Sequence, residues 1–502
     1  MNDSADPCDD FYEYACGKWI HDNPIPDNYE SFATFSLLSS TIITQLRSAV
    51  EDNSTSPSEA INNARRLYRI CMNTTAIEKA KGTPLLNVFN QLGGLPLMTD
   101  GTPATTSDGA APLDQMTPAL GSRDYYLESN YSQYIDAYAQ YMNDVYTLLF
   151  QDAGSLVSPQ LNQTIHEMIQ FETRIVEILT PNEDLLNATE TYNKMTLGQL
   201  YGLLPEIDWV KYILASAPQR DYDVINNQTE IIVGEPEYLV KLADLLRDSS
   251  PRLLANFILT QNVDPTLLDS RYSQATLVVN QYFPQAIGAL YVADHFTPND
   301  KREAEAMVAN LRQAFREILA DNDWMDDATK QTALNKEAAM VALIGYPEMD
   351  ANFTQLDAYY AGTQLNESEG YFEAGHKLSV WYRQQEYDKL KQPFDRFDWE
   401  TLAPDVVDAY YTRARNVITL PAAILQPPYF SGEFPKVINY GAIGMVIGHE
   451  ITHGFDDQGS QYDGSGNIDN WWSERSAENF DTRKSCMIQQ YSNYSEAGTG
   501  MT

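Results

Sequence analysis

Cysteine is scarce: Cys8, Cys16, Cys71 and Cys486 are the only four in 502 residues. That is too few for a disulfide scaffold, and four cysteines permit three pairings among which sequence alone does not choose. Long apolar runs are missing as well. No stretch approaches the roughly 18 apolar residues of a membrane span, and polar or small Asn2, Asp3, Ser4 and Ala5 follow Met1 where a signal peptide would build its apolar core. As written, the chain is expected to carry neither an export signal nor an anchor. Basic residues are outnumbered, 33 Lys and Arg against 70 Asp and Glu, for a formal net charge of −37. This argues against nucleic acid and anionic membrane surfaces as partners, because both select basic patches. The acidic residues are spread along the chain, which reads as solubility and not as an acidic tail. There is no short-period repeat and no low-complexity tract.

What is present describes a folded, mainly α-helical protein. Hydrophobic residues make up 43%, ordinary for a globular chain, and the length allows two or three domains or one enzyme with a cap. Apolar residues at helical spacing predict helices over 35–49, 60–72, 131–150, 158–179, 235–259 and 299–320, and another from Asp326-Asp327 to Gly345-Tyr346-Pro347. Residues 81–125, poor in charge and rich in Gly, Pro and Thr, read as a long loop with short helices. Strand character appears late, in Asn416–Leu420 before Pro421. Glycosylation sequons stand at Asn2, Asn53, Asn73, Asn130, Asn162, Asn187, Asn227, Asn352, Asn366 and Asn493, about twice the number chance supplies. They point to an extracellular setting.

The chemistry is concentrated in His449-Glu450-Ile451-Thr452-His453, on a glycine-punctuated helix expected over 440–454. Two histidines four residues apart project from one helix face and can grip one metal ion. Neutral imidazole suits Zn²⁺, and Glu450 between them is the candidate general base, expected on the open side of the helix. With six histidines in the chain, the pattern arises by chance on the order of 0.004 times. His166-Glu167-Met168-Ile169-Gln170 has the first half of the pattern but Gln170 in place of the second histidine, and reads as a packing helix. Asp456, three residues beyond His453, can hold the outer nitrogen of that ring. Gly441, Gly444 and Gly448 form a bare stripe that predicts close approach of another backbone. Asn416–Leu420, or 406–411 just before it, offers an edge strand for an extended peptide. Ile424, Tyr429 and Phe430 are candidates for a side-chain pocket or for plain core.

Four stretches carry a family resemblance: Pro7-Cys8-Asp9-Asp10-Phe11 through Cys16-Gly17-Lys18-Trp19, Val407-Asp408-Ala409-Tyr410-Tyr411, Pro421 through Phe430, and Val446-Ile447-Gly448-His449 through Phe455-Asp456-Asp457. With them the chain resembles the neprilysin and endothelin-converting-enzyme family of zinc metalloendopeptidases. The resemblance implies a mainly α, two-domain fold. A thermolysin-like catalytic domain with a short edge-strand sheet faces a large water-filled chamber, and a helical cap domain closes over it. The expected divisions are 1–75, an N-terminal segment packing with the catalytic domain, 76–395, the cap, and 396–502, the catalytic domain. It further implies one Zn²⁺ per chain on His449 and His453, Glu450 as base, and Asp408 and Ala409 at the substrate-binding edge strand. Phe35, Ile424, Tyr429, Met445 and Val446 match positions lining the pocket for the residue after the scissile bond. The implied partners are oligopeptides cleaved by metal-activated water, at the cell surface or outside it.

Departures from the family pattern stand beside these matches. Asp408 replaces an asparagine whose amide binds substrate backbone, and an ionised aspartate accepts but cannot donate. Ser31 replaces neprilysin's arginine, and Ala423 a usual glycine. The family's third zinc ligand, a glutamate in a Glu-x-x-x-Asp stretch some sixty residues after the first histidine, has no counterpart before Thr502. Cys8, Cys16 and Cys486 match cysteines whose partners lie in that C-terminal part. Glu474 lies near a thermolysin-like distance from His453 but lacks the aspartate four residues later, and Glu478 and Glu496 are no better placed. The expectation is a C-terminally truncated zinc metalloendopeptidase, with an inactive peptide- or partner-binding protein as the alternative.

Overall fold

The computed structural model describes residues 1–26, 31–91, 96–97, 114–260, 271–399 and 402–494. The chain divides into two compact units: residues 1–68, 268–361 and 395–502, and residues 69–267 and 362–394. The expected division at 76–395 is therefore corrected for 268–361, which packs with the first unit. The physical reason is a strand within that segment. Val341–Gly345 pairs in parallel with Val417–Pro421, from Val341 opposite Val417 to Gly345 opposite Pro421.

The second unit is helical and contains only one described strand pair, Asn193–Thr196 antiparallel to Glu230–Val233. Its core is built from Ser132–Asp152 and Leu161–Glu177, which bury Tyr146, Phe150, Ile165, Met168 and Phe171. His166, Glu167 and Gln170 all face solvent on the second of these helices, so the half-motif belongs to a packing helix. The single helix expected over 235–259 is two, Pro236–Arg247 and Pro251–Thr260. Pro251 lacks the N–H needed to continue the first helix and is well placed to start the second. Of the expected loop over 81–125, Thr83–Gln91 and Asp124–Leu127 are helices, and 92–95 and 98–113 lie outside the described residues.

In the first unit the helices used below are α1 (Thr34–Glu51), α2 (Arg271–Tyr282), α3 (Pro284–His295), α4 (Pro298–Asp321), α5 (Asp327–Ala339), α6 (Lys436–Gly441), α7 (Ile443–His453) and α8 (Glu474–Tyr491). A three-stranded sheet accompanies them, β1 (Val341–Gly345), β2 (Tyr410–Thr412) and β3 (Val417–Pro421), in the order β1-β3-β2. Every residue of β3 is buried. Of the two candidate edge strands, Asn416–Leu420 is thus corrected to the sheet centre, paired on both sides, and the segment ending at Tyr411 supplies the edge. The helix expected to run to residue 345 stops at Ala339. The apolar run Val341–Ile344 fits a helix or a buried strand by pattern alone, and parallel pairing decides for the strand.

α4 opens on a capping box in which the Thr297 hydroxyl accepts from Asp300 N–H and the Asp300 carboxylate accepts from Thr297 N–H. Between α4 and α5, fully buried Glu337 is held by Arg312 Nε at 2.7 Å and Arg316 Nη1 at 2.8 Å. A buried carboxylate gripped by two guanidiniums leaves two uncompensated cations if it is truncated. Glu337→Ala is expected to destabilise the first unit by about 3–5 kcal/mol, read as a lower denaturation midpoint in urea.

Candidate functional site

The helix expected over 440–454 is broken at Ala442, with φ −103° and ψ −91°, into α6 and α7. α7 buries Ile443, Gly444, Val446, Ile447, Glu450 and Ile451 and leaves Met445 62% exposed. The glycine stripe does not receive a backbone. A Cβ on Gly444 would meet the Met307 methyl at 3.1 Å, while Gly441 and Gly448 face open space. α4 therefore supports α7 through Met307, and through Phe315, whose ring centroid is 5.1 Å from that of Phe455.

The two histidines converge. His449 Nε2 and His453 Nε2 are 2.9 Å apart, with the rings at 82°. Asp456 Oδ2 lies 2.7 Å from His453 Nδ1. That contact places the Nδ1 proton toward the carboxylate and leaves the Nε2 lone pair facing His449. Asp456 is itself fixed, since its Oδ1 accepts from Gln458 N at 3.0 Å and Gly459 N at 2.6 Å. The turn closes so tightly that a Cβ at Gly459 would fall 1.8 Å from the His453 carbonyl oxygen, which requires glycine there.

The turn beyond α7 is tied down by residues the sequence did not reveal. Lys336 of α5 is buried and donates to the carbonyls of Gly459 and Tyr462, both at 2.6 Å. Burial pulls its pKa down to about 7, against the opposing charges of Asp463 and Asp456. Asn416, in the left-handed region at φ 51°, donates to the carbonyls of Lys336 and Gly464, both at 3.0 Å, and accepts from the Tyr411 hydroxyl at 2.9 Å. One network thus joins the edge strand β2, the lysine and the turn. Trp471 and Trp472 donate from their indoles to Tyr462 O and Ser460 O, at 3.0 and 3.1 Å.

Glu450 is only 5% exposed, which corrects the expectation that it faces the open side. It is turned toward the start of β2. Burial raises its pKa to about 7, His453 lowers it and Asp408 raises it. Tyr410 is pushed up to about 12 by burial and by the charges of Asp408 and Glu450. Asp408 is exposed, and its Oδ1 accepts from the N–H of buried Ala409 at 2.9 Å. Among the expected pocket residues, Phe35 and Tyr429 are in contact, with ring centroids 4.9 Å apart, and the Thr34 hydroxyl lies 2.5 Å from that of Tyr429. Ile424, Val446 and Phe430 are buried, whereas Met445 projects outward.

A metal fits the histidine pair in part. Two nitrogens sharing a tetrahedral zinc at about 2.0–2.1 Å stand roughly 3.3 Å apart, a few tenths from the spacing seen here. Among the described residues no third His, Cys, Asp or Glu joins them. Glu474, at the exposed start of α8, does not, nor does Glu478, and Glu496 lies outside the described residues. Cys8, Cys16 and Cys486 are free thiols, and Cys71 is buried.

Sequence profiles described as Peptidase family M13 match residues 7–109, 102–347 and 408–501. The chain belongs to peptidase family M13. It is 38% identical to Neprilysin-11 of Caenorhabditis elegans over 98% of its own length, and spans 65% of that protein. It is 31% identical to rabbit (Oryctolagus cuniculus) Neprilysin and to bovine (Bos taurus) Endothelin-converting enzyme 1, over 99% of this chain and 74% and 72% of theirs. A crystal structure of Mycobacterium tuberculosis zinc metalloprotease Zmp1 with an inhibitor superposes at a TM-score of 0.83 with 26% identity, covering 99% of this chain and 80% of that one. This M13 chain shares the mainly α fold of that neighbour, and zinc is the metal its family implies.

Proposed function

We propose that this chain carries a zinc-dependent peptide-hydrolysing centre of the neprilysin type, acting on oligopeptides. The observation that carries the proposal is the pair of His449 and His453 nitrogens converging at 2.9 Å, with Asp456 holding the outer nitrogen of one ring. His449 and His453 would hold one Zn²⁺. When bound, zinc supplies a Lewis acid that polarises a carbonyl and lowers the pKa of water. Glu450, with its pKa raised to about 7, is suited to take a proton from the attacking water and return it to the departing amine. The outer edge of β2 offers backbone pairing to an extended peptide. Asp408 can there accept a peptide N–H but not donate to a carbonyl. Phe35, Tyr429, Ile424 and Val446 would form an apolar side-chain site, with Met445 at its mouth.

Asp456→Asn keeps the size of the side chain and removes the charge that orients His453. It is expected to lower zinc affinity about 10–100-fold, measured by competition with a chromophoric chelator.

A second reading is favoured by one observation, that no third donor is found among the described residues. A two-histidine site binds zinc weakly, and such a chain would hold peptides without cleaving them. Purified protein decides between the two. One zinc per chain with chelator-sensitive cleavage supports the enzyme. Zinc lost on dialysis, no cleavage and retained peptide binding support the second reading.

The setting we propose is extracellular or cell-surface. Apart from half-buried Asn2, every sequon asparagine is exposed and open to glycosylation. Among the described residues no helix is long and apolar enough to cross a membrane.

A further inference from the structure

A second polar cluster lies inside the first unit, built from residues that the peptidase reading does not use. Asp350 follows β1, Asp405 precedes β2, Asn280 is on α2, and Gln285 and Tyr291 are on α3. Asp350 and Asp405 are 3% and 4% exposed, Gln285 and Tyr291 both 1%. The two acids converge on α3 from different segments. A Cβ at Gly288 would lie 3.1 Å from Asp350 Oδ2 and 2.4 Å from the ring of Pro404, next to Asp405. Asn280 Nδ2 donates to Asp405 Oδ2 at 2.7 Å, and Gln285 Nε2 to the Leu402 carbonyl at 3.2 Å.

What remains unsatisfied is almost entirely acceptor. Both oxygens of Asp350, Asp405 Oδ1, Gln285 Oε1 and Asn280 Oδ1 are buried without a hydrogen-bond partner, and so is the Tyr291 hydroxyl. Neither acid has an ionic partner among the described residues. Burial and mutual repulsion push Asp350 up to about 9, and burial pushes Asp405 up to about 7. Unpaired buried carboxylates are strongly disfavoured as anions. Protons would neutralise the charge, but they would not gather five buried acceptor oxygens that lack a donor. A cation does both. Calcium accepts carboxylate and amide oxygens in irregular sets of 6–8 at about 2.4 Å. Magnesium demands a near-ideal octahedron and keeps several waters. Two aspartates match the charge of one divalent ion.

We propose that Asp350, Asp405, Asn280 and Gln285 form a calcium site separate from the histidine pair. The ion would fasten α2, α3, the turn at 348–351 and the segment leading into β2. Asp405 is three residues before Asp408, so the site also steadies the strand to which the peptide is proposed to bind. The calcium claim itself does not rest on catalysis, and its test reads no activity.

The test is thermal unfolding of the full 502-residue chain in calcium chloride and in EGTA. Saturating calcium is expected to raise the midpoint by about 5 °C, magnesium by less than half as much. In Asp350→Asn and in Asp405→Asn the shift is expected to vanish or to need at least tenfold more calcium. A wild-type midpoint that calcium leaves unchanged overturns the proposal. So does a shift that persists undiminished in both variants, because surface carboxylates would then be its source. Terbium luminescence sensitised by Tyr291 gives a readout that needs no variant. Emission displaced by calcium supports the site, and absence of sensitised emission counts against it.

Discussion

Replacing Glu450 with glutamine is expected to lower peptide hydrolysis about 10²–10⁴-fold while leaving zinc content unchanged. The substitution preserves shape and removes only the ability to take a proton. The loss should fall on kcat more than on KM, because proton transfer belongs to the transition state and not to substrate binding. Glu450 is 5% exposed and carries a raised pKa beside Asp408, so the neutral amide is accommodated without a new desolvation cost. Assays with a fluorogenic peptide and atomic spectroscopy on the same sample check both halves. A rate within about threefold of the parent would assign proton transfer elsewhere.

His449→Ala and His453→Ala are each expected to reduce zinc affinity by more than the roughly 10–100-fold cost of losing an outer partner. The two rings are the only donors that converge among the described residues, so either variant leaves a single imidazole. One ligand cannot compete with water and buffer for the ion. His449 is exposed and ends no buried hydrogen-bond network, so its replacement should leave the unfolding midpoint almost unchanged. That separates loss of metal from loss of fold. His453 is the weaker control, because Asp456 loses its ring partner along with the donor.

How much of this was legible in the sequence depends on the reach of each interaction. The i, i+4 histidines, Glu450 and Asp456 lie within eight residues on one helix and its following turn, and their spacing alone predicts that they meet. Lys336 and Asn416 were invisible for the opposite reason. They act through carbonyls of Gly459, Tyr462 and Gly464, far along the chain, and a lysine in a helix or an asparagine before a strand carries no local mark of that duty. The burial of Glu450 is not legible in the motif, which fixes the face the histidines share but not what packs against the rest of the helix. The sequence of β1 continues a helical pattern, because the period of the apolar run Val341–Ile344 does not distinguish helix from buried strand. The strand character of β3 is plain in its sequence, but its place at the sheet centre follows from pairing with β1, which nothing nearby announces.

The most direct test of the metal centre is a zinc titration of the 502-residue chain against its His449→Ala/His453→Ala double variant, with a chromophoric chelator as competitor. The predicted result is one zinc per parent chain, of modest affinity, and none competing with the chelator in the variant. Parent and variant binding zinc alike, or a folded parent that takes up no zinc, would contradict the assignment of the pair as metal ligands.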